Sequence, residues 1–465
     1  MKILDKYVPK VGLLPPIFPR DPIEVSVYLE HVLLGQVIEP LVIVNHEGNI
    51  EPGVASHWEI SEDSKLITFH IAQGMKFSNG VPVTARDVKY SLDRHRHSER
   101  SQAKAYLRRI VDIVVRSESA IEIHLDHPYI AIFKALSRDQ LGILPEGWTF
   151  NRESTEPFTG TGPYRAVRSG AQWQLVLNNH YRRIDQVRIP IWDLVFFDHK
   201  QERLADINLP DVVMMAVPEV AKQFEDRPEW RSRSFKKSLV KHFVQTSAWW
   251  YPKGPQFRNV DAKNRAMSAI ADLLEARCQV MNFQRTTGII PQGITGYLSE
   301  VKIPDPVKAG LDRPMSFTVS VLQREYDQIV VREDTSRIER EYNINLNFVK
   351  AELGGNISDT QPDVAICAYA GGFQDPEGFL TVITSFLNAE LSEIFGDLMP
   401  LYSQASRETD WSKRHELYQK LNQAMVESRL IVPGWKPELY DCCSGRISCV
   451  SVGLSYILKL GTLVN

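Results

Sequence analysis

Side chains that could catalyse a reaction or bind a metal are scattered along this sequence, and few stand at spacings typical of a site. His124 and His127 flank Asp126, and both residue types are metal ligands. Side chains alternate between the two faces of a strand, however, so these three groups at a strand end are expected to point in different directions. His95 and His97 stand among arginines at a helix end, where like charge disfavours a bound cation and a solvated surface is favoured.

The sequence contains none of the common catalytic or phosphate-binding motifs. The nucleophile motif G-x-S-x-G, the zinc motif H-E-x-x-H and the phosphate loop G-x-x-x-x-G-K-[ST] are all absent. Three cysteines near the C-terminus have neither C-x-x-C spacing nor a nearby histidine, so buried or idle thiols are favoured over a metal site: Cys442, Cys443 and Cys449. We therefore expect no catalytic residue, no metal and no cofactor, and a protein that returns its ligand unchanged.

The composition indicates a folded protein with at least two domains. The chain has 465 residues, whereas a single hydrophobic core stops growing at about 250–300 residues. Lysine and arginine (54) nearly balance aspartate and glutamate (57), which argues against a nucleic-acid partner. No apolar run reaches the ~18 residues of a transmembrane helix, and the first residues lack the apolar stretch of a signal peptide. The sequence predicts either a cytoplasmic protein or the mature form of an exported one.

Hydrophobic periodicity predicts strands around one helix in the first part of the chain. Apolar and polar residues alternate over Ser64–Ile71 and again over Ile121–Leu125, which is typical of half-buried strands. Between them, Thr84 and Asp87 have the spacing of a capping box, so a helix is predicted from Ala85 past Leu92.

The later part of the chain alternates between predicted helices and strands, which favours an α/β domain. Apolar residues form a helical stripe over Ala262–Ala276. Residues Ile344–Phe348 alternate with asparagines as in a half-buried strand, and Val364–Ile366 is predicted to be a short buried strand. Asp410 is positioned to cap a late helix.

Several segments have sequences typical of one protein family, in the family's order and with its spacing. After Glu39-Pro40-Leu41 these are residues 51–58 (EPGVASHW), 74–80 (GMKFSNG), 83–92 (VTARDVKYSL), 160–164 (GTGPY) and 374–380 (QDPEGFL). The chain resembles family 5 of the bacterial extracellular solute-binding proteins, which includes the oligopeptide-, dipeptide- and nickel-binding proteins of ABC importers. Each motif also has a plain structural interpretation, because its glycines, proline and capping residues define turns and helix ends.

The resemblance implies an α/β fold of the two-lobed periplasmic-binding-protein type, with a ligand cleft between lobes that close by a hinge motion. We expect the first lobe to comprise residues 1–38, an inserted subdomain at 39–156, residues 157–245 and a C-terminal return at 435–465. Residues 246–434 are expected to form the second lobe.

The resemblance also implies a function in import. The expected protein is a periplasmic, monomeric, non-enzymatic component that carries a peptide or peptide-like solute to ABC permease subunits of the inner membrane. A cytoplasmic ligand-sensing module related to the same family is the alternative, and a hydrolase is disfavoured because no nucleophile motif is present.

The resemblance places ligand contacts in two segments, residues 26–28 and 369–373. Two aromatic residues between them in the chain are further candidates, because they could stack on a ligand. The candidate ligand-binding residues are Ser26, Val27, Tyr28, Trp249, Tyr251, Tyr369, Ala370, Gly371, Gly372 and Phe373. Trp249 and Tyr251 are two residues apart and would share one face of a strand. Gly371 and Gly372 would allow a ligand's main chain to approach closely, and a plain turn is an equal alternative.

One position departs from the pattern of the peptide-binding members. Many of them have an aspartate at the position of Gly372, where it pairs with the ligand's free amino group. A buried ammonium group without a partner is unfavourable by several kcal/mol. The ligand is therefore expected to be N-blocked, to lack an amine, or to keep its amine in water.

Overall fold

The chain folds into two compact units in the computed structural model. The structure describes residues 10–13, 19–25, 28–45, 48–170, 172–196, 211–216, 236–239, 244–308, 313–351, 360–436 and 440–443. The first unit comprises Met1–His127, Ile132–His242 and Glu438–Asn465, and the second comprises Pro128–Ala131 and Phe243–Pro437. The inserted subdomain expected at residues 39–156 and the lobe borders stay predictions.

The first unit contains most of the strands. Its elements are β1 (Lys10–Leu13), α1 (Tyr28–Val37), β2 (Val42–Val44), β3 (Ile50–Pro52), β4 (Ala55–Ile60), β5 (Leu66–Ile71), α2 (Ala85–Arg96), β6 (Ile110–Val115), β7 (Ala120–Leu125), α3 (Ile132–Leu136), β8 (Tyr164–Ser169), β9 (Gln172–Leu177), β10 (Ile191–Phe196), β11 (Val212–Ala216), β12 (Lys236–Leu239) and, after the second unit, β20 (Tyr440–Cys443). The described strands form a seven-stranded sheet in the order β12-β20-β11-β1-β10-β9-β8, a four-stranded sheet in the order β4-β5-β7-β6, and a β2-β3 pair.

The four-stranded sheet is antiparallel and has one buried and one outer face. Ile67, Phe69 and Ile71 of β5 point to the buried side, and α2 packs against β6 and β7. The helix begins at Ala85 as predicted, and the Thr84 N–H and hydroxyl both donate to the Asp87 carboxylate, at 2.7 and 2.8 Å.

The expectation of a solvated helix end is wrong for His95. This side chain is only 2% exposed, and its Nδ1 lies 2.7 Å from the Ser101 hydroxyl oxygen. His95 follows Val88 and Leu92 on one stripe of α2, so helical periodicity turns it inward, whereas His97 is exposed. Burial, followed by the positive charge of Arg94, lowers the pKa of His95 to about 3.

The second unit alternates helices and strands as predicted. Its elements are β13 (Val244–Trp250), α4 (Val260–Met281), β14 (Gln284–Arg285), β15 (Met315–Leu322), α5 (Gln323–Ile329), α6 (Arg332–Tyr342), β16 (Ile344–Ala351), β17 (Val364–Ala370), α7 (Pro376–Leu387), α8 (Leu391–Phe395), α9 (Met399–Arg407), α10 (Trp411–Glu427), β18 (Ile431–Pro433) and β19 (Trp435–Lys436). The described strands form a five-stranded sheet in the order β16-β15-β17-β13-β18 and a β14-β19 pair.

One face of the five-stranded sheet packs on a hydrophobic core. Ala248 and Trp250 of β13 lie in this core with Ile366 of β17, beneath α4 and α6. The predicted stripe of α4 is confirmed, since its members are all buried: Ala266, Met267, Ile270, Leu273 and Leu274. The predicted cap of α10 is also confirmed, because the Asp410 carboxylate accepts the Lys413 N–H at 2.9 Å. None of the described helices combines the length and hydrophobicity needed to cross a bilayer.

Candidate functional site

The antiparallel pair β13–β17 brings several candidate residues together. Gln245 lies opposite Tyr369, and Trp249 lies opposite Ala365. Because side chains alternate along a strand, Gln245, Ser247, Trp249 and Tyr369 share the sheet face that points away from the core residue Trp250. Gln245 and Ser247 were not among the predicted site residues, although their period-two spacing with Trp249 would have placed all three on one face of a strand.

These four side chains are buried and form one hydrogen-bonded network. The Trp249 indole N–H donates to the Ser247 hydroxyl oxygen at 2.8 Å, and the Ser247 hydroxyl donates to the Tyr369 hydroxyl oxygen at 3.3 Å. The Gln245 amide donates to the same tyrosine oxygen at 3.1 Å, and the Trp249 and Tyr369 rings meet edge-on. Burial raises the pKa of Tyr369 well above its ordinary value, so the network is neutral.

Among the described strands, β17 has an open backbone edge at its carboxyl end. It lies between β13 and β15, but β15 pairs with it only at Val364–Ile366 and then turns into α5. Among the described strands, Cys367–Ala370 therefore pairs with β13 alone. Ala368 in this segment is half-buried, whereas Cys367 and Tyr369 beside it are buried. Ligands of α/β proteins commonly bind beyond the carboxyl ends of parallel strands, which is where this edge lies.

The turn after β17 uses its glycines for internal packing. A Cβ atom on Gly371 would lie 2.5 Å from the buried ring of Phe379 in α7, so the close approach at Gly371 is to this helix. The Gly372 N–H donates to the Gly378 carbonyl at 2.8 Å, and the Phe373 carbonyl accepts the Asp375 N–H at 2.8 Å. These observations support a structural turn, and the Gly372 amide is not available to pair with a ligand.

The two acidic residues that follow this turn are both held by buried partners. Arg414 donates two hydrogen bonds to Asp375, at 2.7 and 2.9 Å. Burial alone would lower the pKa of Arg414, but the Asp375 carboxylate holds it above its ordinary value. Glu377 accepts hydrogen bonds from the hydroxyls of Tyr402 at 2.9 Å and Tyr418 at 2.5 Å. Neither carboxylate is therefore placed to bind a ligand's amine.

The remaining candidate residues are not brought into this cluster by the described structure. Tyr251 is buried just after β13, and its N–H donates to the Asp363 carbonyl at 2.9 Å. Tyr28 is the first residue of α1 in the first unit, while Ser26 and Val27 lie outside the described residues. Ala370 ends β17, opposite Val244.

The His124 ring lies 3.0 Å from Glu122, whereas the His127 ring lies 2.8 Å from Asp126. The prediction that all three side chains point in different directions is therefore wrong for Asp126 and His127, which are neighbours in sequence and pair with each other. Cys449 and the side chains of Cys442 and Cys443 lie outside the described residues.

Comparison with known proteins agrees with the resemblance seen in the sequence. Residues 49–229 match the family model described as "Bacterial extracellular solute-binding proteins, family 5 Middle". The chain is 21% identical to the oligopeptide-binding protein OppA of Bacillus subtilis, covering 86% of this chain and 82% of that protein. It is 22% identical to the periplasmic oligopeptide-binding protein OppA of Salmonella typhimurium, covering 89% and 84%.

The chain is similar to family 5 of the bacterial extracellular solute-binding proteins over residues 49–229. The murein tripeptide-binding protein MppA of Escherichia coli superposes on this chain with a TM-score of 0.79 at 17% identity, covering 99% of this chain and 98% of that one. Haemophilus influenzae OppA, in complex with the peptide RPPGFSPFR, gives a TM-score of 0.77 at 16% identity and covers 99% of both chains. At this identity the likeness shows the fold alone, and the predicted periplasmic-binding-protein fold is confirmed.

Proposed function

We propose that this protein is the substrate-binding component of an ABC importer, which captures a peptide or peptide-like solute between two lobes and delivers it to a permease. The observation that supports this function is the edge of β17 at Cys367–Ala370, which no other described strand pairs with. An extended ligand can add to such an edge as a further strand. Hydrogen bonds from its main chain then supply affinity, and pockets accommodate its side chains. The relatives named as oligopeptide-binding proteins support the same ligand class.

Within this proposal, the candidate residues have two different roles. The main chain of Cys367–Ala370 contacts the ligand, since its second edge is open among the described strands. Trp249 and Tyr369 hold β13 and β17 in position, because their polar atoms are already hydrogen-bonded to Ser247 and Gln245. Tyr251, Phe373 and the segment from Ser26 to Tyr28 are proposed to shape the surroundings of the ligand.

Two of the acids near this edge are already engaged by other side chains, which supports a ligand without a buried free amine. Asp375 is paired with Arg414, and Glu377 is hydrogen-bonded by tyrosines. Glu325, in the first turn of α5, is a further buried acid near β17. The pKa of Cys367 in β17 is raised mainly by burial of its thiol and then by the negative charge of Glu325. We propose that the ligand is N-blocked, amine-free, or bound with its amine in water.

Main-chain pairing can be tested by calorimetry with N-methylated peptides. Native mass spectrometry of the purified protein first identifies the class of any co-purified solute, and a peptide of that length then serves as the probe. In a paired strand every second amide points towards the partner. N-methylation of those amides should weaken binding by roughly tenfold each, while methylation of the intervening amides has a much smaller effect. Equal tolerance at all positions would overturn main-chain pairing.

The role of the ligand's amine is tested with the same probe in free-amine and N-acetylated forms. We expect the acetylated form to bind at least as tightly. If the free-amine form binds at least ten times more tightly, the proposal that the ligand has no buried free amine is wrong. The Glu325→Gln variant, which removes a charge and keeps the shape, then shows whether Glu325 supplies the counter-charge. In all cases the recovered peptide should have its original mass, and multiple-turnover cleavage would contradict a binding role.

A further inference from the structure

The outer face of the four-stranded sheet carries a group of potential metal ligands. His57 of β4 lies directly opposite His70 of β5 in the antiparallel register, and Glu59 is two residues beyond His57 on the same face. His57 and Glu59 are exposed and His70 is half-buried. One ligand atom from each of the three residues lies within 4.8 Å of the other two. The three are not adjacent in sequence, so only the pairing of β4 with β5 brings them together.

The hydroxyl of Ser56 sets the tautomer of the His57 ring. The Ser56 oxygen lies 2.9 Å from Nδ1 of His57, and it donates its single proton to the His70 main-chain carbonyl at 3.1 Å. The serine oxygen must therefore accept a proton from Nδ1, which leaves the lone pair on Nε2 of His57. A metal-binding histidine commonly has its second ring nitrogen held by such a hydrogen bond.

The second histidine has a shielded nitrogen without a hydrogen bond. Nε2 of His70 is covered from solvent and has no hydrogen-bond partner among the described residues. The Glu59 carboxylate lies 3.6 Å from it, which is beyond hydrogen-bond distance. A covered polar atom normally has a partner, because leaving it unsatisfied is unfavourable. This nitrogen faces the carboxylate across a gap that an ion can bridge.

We propose that His57, Glu59 and His70 form a binding site for a divalent transition-metal ion of the zinc and nickel class. Two imidazoles and one carboxylate suit such ions, and water completes the coordination. Bonds of about 2.0–2.1 Å require the ligand atoms to approach to about 3.3 Å. The two rings are stacked at 4.3 Å, so the exposed His57 ring must rotate to reach the ion. Side chains directly opposite each other across two strands are close enough for this.

Calorimetry with zinc chloride on chelator-stripped protein tests the site. We expect one zinc ion per chain at this site, with His57→Ala and His70→Ala each weakening binding by about tenfold or more and Glu59→Gln having a smaller effect. The matched control is His124→Ala, on the outer face of the same sheet. Its neighbour Glu122 is already paired with Arg116 at 2.8 Å, and this variant should bind zinc like the wild type.

Unchanged zinc affinity in both His57→Ala and His70→Ala would overturn the site, and so would an equal loss of affinity in His124→Ala. Cobalt absorption gives a second reading, because a two-histidine site produces visible bands that should disappear in the His70→Ala variant and persist in the control. Circular dichroism establishes that each variant is folded. The site is independent of the proposed peptide binding, so peptide affinity should be the same in His57→Ala and the wild type.

Discussion

At the scale of single residues, the pair Asp375–Arg414 is expected to be the most sensitive charge pair of the second unit. Both side chains are 1% exposed, and their contact is bidentate. Replacement of Asp375 by alanine would leave the Arg414 charge buried without its partner, which should lower the free energy of unfolding by about 3–5 kcal/mol. Urea unfolding measures this change.

The control for this prediction is the exposed pair Arg337–Glu341. Arg337→Ala should change stability by less than about 1 kcal/mol, because solvent screens an exposed pair. The double variant Asp375→Leu/Arg414→Met should be more stable than Asp375→Ala, since it removes both charges. If Asp375→Ala lowers the free energy of unfolding no more than Arg337→Ala does, the prediction that the buried pair is the more sensitive one is wrong.

His95 should make the protein less stable in acid. Its folded-state pKa of about 3 lies below the ordinary histidine value of about 6.5, so the fold favours the neutral ring. This contribution is complete above pH 6.5 and is lost as the pH falls from 6.5 towards 3. Between pH 7.5 and 4.5 the loss should be on the order of 2–3 kcal/mol. His95→Gln should reduce the pH dependence of urea unfolding, whereas the exposed His97→Gln should leave it unchanged.

At the scale of elements, the packing of α7 on β17 distinguishes two roles for Gly371. A Cβ at Gly371 would lie 2.5 Å from the Phe379 ring, so Gly371→Ala should lower the free energy of unfolding by about 1–3 kcal/mol through overpacking. The double variant Gly371→Ala/Phe379→Leu should recover part of this loss. A variant that weakens peptide binding while its stability is unchanged would instead restore the interpretation that Gly371 leaves room for a ligand.

Periodicity and capping residues predicted the elements well, because the information is local. The Asp410 cap and the stripe of α4 depend on residues within a few positions of each other, and both are found in the structure. The alternation at Ile344–Phe348 likewise predicts β16. His95 was misjudged because its arginine neighbours were given more weight than its place on the inward stripe of α2.

Contacts between distant segments could not be predicted in the same way. His57 meets His70 only because β4 and β5 pair in one register, and a shift of one residue would move either side chain to the other face. Asp375 directly precedes α7 and Arg414 lies in α10, so the two meet only because these helices pack together. No local sequence pattern specifies the relative placement of the two helices. The open edge of β17 depends on where β15 ends its pairing, which is again a property of the sheet.

At the scale of the whole molecule, a ligand that contacts both lobes should favour a closed form, because only closure allows both sets of contacts. Small-angle scattering should show a smaller radius of gyration when the probe peptide is bound. The N-methylated peptide that fails to bind is the control, and it should leave the scattering unchanged. An unchanged radius of gyration with peptide shown by calorimetry to be bound would contradict hinge closure.

The position of β20 has a consequence for the synthesis of the chain. Residues Tyr440–Cys443 pair with both β11 and β12 inside the seven-stranded sheet, although the segment Phe243–Pro437 of the second unit lies between them in the chain. On the ribosome, the second unit has therefore emerged before the first can complete its sheet. Until then the facing edges of β11 and β12 lack their shared partner and are open to chaperones. The first unit therefore cannot complete its sheet until the whole segment Phe243–Pro437 has been translated.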